Sequence, residues 1–303
     1  MRKDRQAHRG TGKIRIAYAV FLVLYSLFVI LDAFVIPRNI VRILRGESSV
    51  TEGRYKAVVT DDSYDDGNIL IQIRTERIYD TTIYLADVQL KDPDLLKTGL
   101  AGDSFGRNLA EVTSSIAERN GAVFAINGDY YGFREKGYVM RGAYLYRKAS
   151  NTRYPYGEDL VIWKDGSFEI VNEAAVTAQE LADKGAREIF SFGPALVNQG
   201  KVQVFAGEEV ERAQITNPRT AIGILENGHY LMVVSDGRTV ESRGLSLFQL
   251  AELMRDEGCQ IAYNLDGGGS STIWFNGKVL NKPTTYGDVI AERTISDILY
   301  VGY

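Results

Sequence analysis

The chain of 303 residues contains one cysteine, Cys259, and two histidines, His8 and His229. A single cysteine allows no intrachain disulfide and no zinc–thiolate cluster. His8 precedes a long apolar segment, so any catalytic histidine is His229, which lies beside a turn signal. That nearly removes Ser-His-Asp hydrolysis and His-rich metal sites. Positive charge is not in excess either: the net charge is −4, which argues against a nucleic-acid partner. Chemistry is left to carboxylates, arginines, asparagines, hydroxyls and backbone N–H groups.

What is present describes a globular protein with an appended apolar segment. Hydrophobic residues make up 45% and charged residues 24%, enough apolar material for a sizeable core. Tyrosine is abundant at 18 residues, which suits a sugar-facing site but also suits strands. Ile16 to Ile36 is apolar except for Ser26 and Asp32. At about 1.5 Å per residue it spans a hydrocarbon core of about 30 Å. Arg2, Lys3, Arg5, Arg9, Lys13 and Arg15 precede it, and no small-residue cleavage site closes it. The expected organisation is a cytoplasmic basic tail (1–15), a transmembrane signal anchor (16–36), a stalk (37–53) and one extracytoplasmic domain (54–303).

Beyond residue 54 the pattern is mostly β. Strand-like runs occur at Tyr55–Thr60, Ile69–Arg74 and Ile78–Leu90. Asp165-Gly166, Asn227-Gly228 and Asn276-Gly277 mark hairpin bends. Two helices are expected, Asn108 to Arg119 and Ser246 to Glu257, the second stopped by Gly258. The fold class is therefore α+β: a mixed, largely antiparallel sheet with a few packed helices, preceded by one transmembrane helix.

The most informative stretch is Asn264-Leu265-Asp266-Gly267-Gly268-Gly269-Ser270-Ser271-Thr272. It interrupts an apolar run with two polar side chains, three glycines and three hydroxyls. A simple turn needs neither three glycines nor Asn264. A loop that turns N–H groups and hydroxyls toward one point binds anions. Three more clusters pair polar groups with glycine at a strand end: Asn127-Gly128-Asp129, Asn217-Pro218-Arg219-Thr220-Ala221-Ile222-Gly223, and Ser235-Asp236-Gly237-Arg238. The strand ending at Ser235, the helix from Ser246 and the strand ending at Asn264 form a strand–helix–strand unit. If its two strands are neighbours, Asp236 and Asp266 face one crevice.

Ala125-Ile126-Asn127-Gly128-Asp129-Tyr130-Tyr131, Pro218-Arg219-Thr220-Ala221-Ile222-Gly223 and the triple-glycine block, in this order and spacing, resemble the signature blocks of the phosphodiester glycosidase family. The resemblance covers about residues 85 to 303. The first block departs from the family's usual Asn-Gly-Gly-Phe-Phe, adding the Asp129 carboxylate and two phenols.

The resemblance implies cleavage of a sugar-1-phosphodiester at its anomeric C–O bond through an oxocarbenium-like transition state, which paired carboxylates support. It implies Asp266 as base or nucleophile, with Asp129 or Asp236 as the second carboxylate. Arg219 becomes a fork for phosphate oxygens and Gly267, Gly268, Gly269, Ser270 and Ser271 an N–H cradle, joined by Gly128 and Arg238. Asn127 and Asn264 would orient sugar hydroxyls. The three carboxylates also leave room for a divalent cation, although no loop has calcium-site spacing, so no metal is assigned. Two alternatives are a non-catalytic phospho-glycan binding module and a P–O-cleaving phosphodiesterase. Asp266 beside a phosphate disfavours the binder, since like charges repel.

Overall fold

Runs that read as unbroken apolar sequence form the middle of a nine-stranded sheet in the computed structural model of the protein. The structure describes residues 3–42, 56–151, 157–209, 216–285, 287 and 289–303. Across the large sheet the order is Lys201–Val202, Ala195–Asn198, Ile261–Asn264, Arg219–Glu226, His229–Ser235, Thr81–Leu90, Ile69–Ile78, Ser63–Asp65 and Val58–Val59. One five-stranded sheet has the order Lys278–Val279, Ile273–Phe275, Phe124–Asn127, Asp297–Val301, Leu96–Leu100. The other has Tyr144–Arg147, Val139–Arg141, Ala186–Phe190, Glu158–Trp163, Phe168–Asn172. With four α-helices among the described residues, this is the expected α+β, largely antiparallel class.

The main core lies where the three sheets face one another. Ile71, Val88 and Met232 come from the large sheet, Phe124, Ile126 and Leu299 from the second, and Leu160 and Phe190 from the third. The other face of the large sheet is covered by the helix Leu247–Asp256, whose Leu247, Leu250, Ala251 and Met254 meet Ala221, Val233 and Ala262. Burial on both faces removes the polar alternation a half-exposed strand would show. A Ser246/Gln249 capping box starts that helix, two reciprocal hydrogen bonds satisfying its first N–H groups.

Several local expectations needed correction. The run Ile78–Leu90 is not one strand: Ile78 ends the preceding one, and Tyr79 and Asp80, both at φ +55°, turn the chain into Thr81–Leu90. That primed hairpin has no glycine to announce it. The helix expected from Asn108 begins only at Thr113, because Asn108 is left-handed (φ +56°) and Val112 is still extended. A short helix, Ala178–Lys184, went unforeseen, although a Thr177/Glu180 capping box starts it.

The amino-terminal helix runs Lys3–Phe34, through the basic flank. Its Arg15–Phe34 part is long and apolar enough to cross a membrane and is not buried by the rest of the chain. The expected stalk begins as a strand, Arg38–Arg42, paired with Ser104–Arg107. Residues 43–53 of that stalk, and Tyr55 of the first expected strand, lie outside the described residues.

Candidate functional site

Antiparallel pairing sets the geometry of the site. Arg219–Glu226 lies between Ile261–Asn264 and His229–Ser235 and runs opposite to both. The two outer strands are therefore parallel to each other but are not neighbours, a correction to the strand–helix–strand expectation. Their carboxyl ends still meet at one edge of the sheet, with Arg219 between them: Arg219 pairs with Ser235, and Ala221 with Asn264.

Asn127, last residue of its strand in the second sheet, ties that sheet to this edge. Its Nδ2 donates to the Asp266 carbonyl at 2.6 Å, and its Oδ1 accepts from Thr220 Oγ1 at 2.7 Å and the Thr272 N–H at 3.1 Å. The Asp266 N–H in turn donates to the Gly128 carbonyl at 3.1 Å. Asn127 is fully buried, so it sets the position of Asp266 and does not face a ligand.

The triple glycine forms a tight turn. A Cβ on Gly267 would lie 2.9 Å from the Pro218 carbonyl oxygen, and one on Gly269 3.0 Å from the Thr285 Cα. The N–H groups of Gly268, Ser270 and Ser271 donate to the carbonyls of Pro218, Gly267 and Gly268. The expected cradle therefore loses those three amides to the turn itself.

Its hydroxyls point elsewhere. Ser270 Oγ donates to Asp266 Oδ2 at 2.6 Å, and Arg293 Nη2 approaches the same oxygen at 3.2 Å. Asp266 is 7% exposed, and burial raises its carboxyl above the usual range, with Arg293 and Ser270 pulling it partly back. The buried Asn264 Oδ1, Ser271 Oγ and Thr272 Oγ1 have no hydrogen-bond partner among the described residues. Such atoms at a site are groups that a ligand or water can satisfy.

Asp129 has the opposite environment. Burial pushes its carboxyl up, but Arg134, Arg141 and the Ser191 N–H at 3.0 Å outweigh that and hold it below the ordinary range. Arg134 is in direct ion-pair contact, and Arg141 Nη2 lies at 3.8 Å. Behind it, Asp297 accepts from the Asp129 N–H at 2.7 Å and from Arg141 Nε at 2.7 Å. The Arg141 guanidinium also lies 4.0 Å over the Phe190 ring. Thus Asp266 is raised and Asp129 lowered within one edge of the fold, the kind of divergence that divides proton-transfer and charged roles.

A phosphodiester glycosidase family profile matches residues 120–302, the span that holds every group just described. The chain belongs to that family. The chain is 34% identical to the Bacillus subtilis protein "SPbeta prophage-derived uncharacterized protein YomE", over 66% of this chain and 31% of that protein. It is 26% identical to human "N-acetylglucosamine-1-phosphodiester alpha-N-acetylglucosaminidase", over 61% of this chain and 33% of that protein. The chain thus spans about a third of the length of these relatives. Among solved structures, the zebrafish "N-acetylglucosamine-1-phosphodiester alpha-N-acetylglucosaminidase (NAGPA) catalytic domain auto-inhibited by pro-peptide" shares the fold, with a TM-score of 0.60 at 21% identity, covering 78% of this chain and 83% of that one.

The remaining expected residues are held by contacts within the protein. Arg219 is 3% exposed; it pairs with Glu209 and donates through Nε to the Leu245 carbonyl at 2.9 Å. Two nitrogens of the guanidinium expected to fork a phosphate are thus committed within the protein. Arg238 donates to Asn217 Oδ1 and, through Nη1, to the Thr285 carbonyl at 2.9 Å. Asp236 accepts from the Lys282 N–H at 2.8 Å, and burial raises its carboxyl, with Lys282 and Asn281 pulling back. Asn264 donates to the Gly193 carbonyl at 2.8 Å. Among the described residues, no three His, Cys, Asp or Glu side chains gather as metal ligands. Asp129, Asp236 and Asp266 therefore do not form the cation site left open above.

Arg293, Arg141, Asp297 and Arg134 escaped the sequence reading because each lies outside the glycine-marked blocks or reads as a surface charge. A cleft of about 840 Å³ opens elsewhere, beside Lys97, Arg187, Glu188 and Tyr300. It holds none of the strand-end groups, and its Arg187 already pairs with Asp94 at 2.9 Å. Size alone does not outweigh the convergent carboxylate, arginine and unpartnered hydroxyls around Asp266.

Proposed function

We propose that this phosphodiester glycosidase hydrolyses the anomeric C–O bond of sugar-1-phosphodiesters in envelope or exopolysaccharide glycans, held outside the cytoplasm by its amino-terminal helix. The observation that carries this reading is the pair Asp266–Arg293. Arg293 is tied through Nε to Ser270 Oγ at 2.9 Å and through Nη2 to Asp266, while its Nη1 has no hydrogen bond among the described residues. One guanidinium edge is thus oriented by the protein and the other is open to an anion.

In this reading water adds to the anomeric carbon and gives its proton to Asp266. The C–O bond breaks, and its electron pair leaves with the phosphate oxygen. That leaving group is already a stable anion, so binding its charge through Arg293 matters more than protonating it. The raised Asp266 carboxyl suits proton transfer, since a catalytic pKa nearer the working pH is more effective. Family relatives named for N-acetylglucosamine-1-phosphodiesters make N-acetylglucosamine the first sugar to test.

The test incubates the protein with UDP-N-acetylglucosamine and other sugar-1-phosphodiesters, with and without EDTA, in oxygen-18 water. Label on released sugar, absent in folded Asp266→Asn, supports C–O hydrolysis. Label on phosphate would replace this reading with the P–O-cleaving one.

A further inference from the structure

Tyr130 is exposed between two buried residues: it is 38% accessible, whereas Asp129 and Tyr131 are at 1% and 0%. An exposed large ring at the end of a core strand has no packing reason to face solvent. Its ring is backed by Phe133, with centroids 5.0 Å apart and planes 21° from parallel. The stack backs the ring on Phe133 while 38% of the residue stays exposed to solvent. The Asp266 N–H bonds to the carbonyl of Gly128, two residues before Tyr130, and the Asp266 charge acts on the Tyr130 phenol, so the two residues lie near one another. The phenol oxygen has no hydrogen-bond partner among the described residues, and its proton is held more tightly by burial and the nearby Asp266 charge, with Arg293 and Arg134 opposing.

A flat apolar face with an uncommitted hydroxyl at one end matches a pyranose, which has one C–H-lined face and a polar rim. We propose that Tyr130 is the specificity-determining platform of the site: its ring stacks on a pyranose face, and its hydroxyl bonds a polar substituent of the same sugar. This rests on the glycosidase reading for the sugar's role, but the stacking is a binding event and can be measured without turnover.

The experiment titrates the full-length protein in detergent with free N-acetylglucosamine, glucose and galactose by calorimetry, using glycerol 3-phosphate as an anion that lacks a pyranose. Wild type should bind at least one of the sugars. Tyr130→Ala should weaken that binding about tenfold or more, and Tyr130→Phe should keep most of it while losing discrimination among the three sugars. Glycerol 3-phosphate should bind all three proteins alike. Tyr130 is exposed, so both variants should melt within a few degrees of wild type. Equal sugar affinity in wild type and Tyr130→Ala would overturn the platform, as would a wild type that binds none of the sugars. Loss of hydrolysis in oxygen-18 water with intact, Tyr130-dependent sugar binding would instead overturn the glycosidase reading and leave the platform standing.

Discussion

Arg293 Nη2 lies 3.2 Å from Asp266 Oδ2, and Ser270 Oγ donates to that same oxygen. A residue 27 positions downstream thus completes the triple-glycine block, holding its carboxylate on one side while offering a guanidinium edge to an anion.

Replacing Asp266 by Asn keeps the shape and removes the charge. Turnover of a sugar-1-phosphodiester should fall by about 10²–10⁴-fold, with the melting temperature nearly unchanged. Initial rates and a thermal melt on the same preparation check this.

Arg293→Gln should lower kcat/KM by about 10²–10³-fold, the usual loss for a donor aimed at developing charge. Arg293 pulls the Asp266 carboxyl down from the value burial alone would give. Without it the acidic limb of the pH–rate profile should move to higher pH. An unmoved limb would show that Asp266 does not govern it.

Glu188 carries a pH dependence of stability. Burial raises its carboxyl from 4.5 to about 7, although it accepts from Thr98 Oγ1 at 2.8 Å and the Gly142 N–H. The folded state therefore holds this proton more tightly than the unfolded chain. Its stabilisation is full below about pH 4.5 and is lost as pH rises through about 7, by about 3 kcal/mol. Urea melts of Glu188→Gln should lack this part of the slope.

Removing Arg141 while leaving Asp129 and Asp297 in place leaves buried carboxylates short of a counter-charge. Arg141→Met should cost about 3–5 kcal/mol, more than most single substitutions. Denaturant unfolding of the 37–303 fragment, alongside its wild-type counterpart, reads the difference.

Gly268 sits at φ +62°, and a Cβ there would lie 2.6 Å from Arg238 Nη2. Gly268→Ala should destabilise by about 1–3 kcal/mol and displace Arg238 from Asn217. Lower kcat/KM with a lower melting temperature is the expected result.

Much of the site was legible because its backbone is unusual. Three consecutive glycines and strand-end Asn-Gly and Asp-Gly pairs mark places where chains approach closely, and local sequence records that need directly. Asn127, Asp129, Asp236 and Asp266 are marked this way, and all four lie at or just past strand ends. The division of labour among them was not legible. Arg219 follows a proline in a signature block, yet Glu209 and the Leu245 carbonyl occupy its guanidinium. Arg293 carries no such local signal, and Arg141, although Gly142 follows it at a strand end, lies outside the signature blocks.

Local sequence by itself determined the α+β pattern, the hairpins at Asp165-Gly166, Asn227-Gly228 and Asn276-Gly277, and the apolar amino-terminal helix. Those features depend on dihedral preference and hydrophobic period, which act over a few residues. Only the tertiary structure decided which carboxylate is raised and which is lowered. Burial and opposite charge act through space, and Asp266 and Asp129 acquire their different environments from Arg293, Arg134 and Arg141, of which Arg293 and Arg141 are brought beside them only by the tertiary fold.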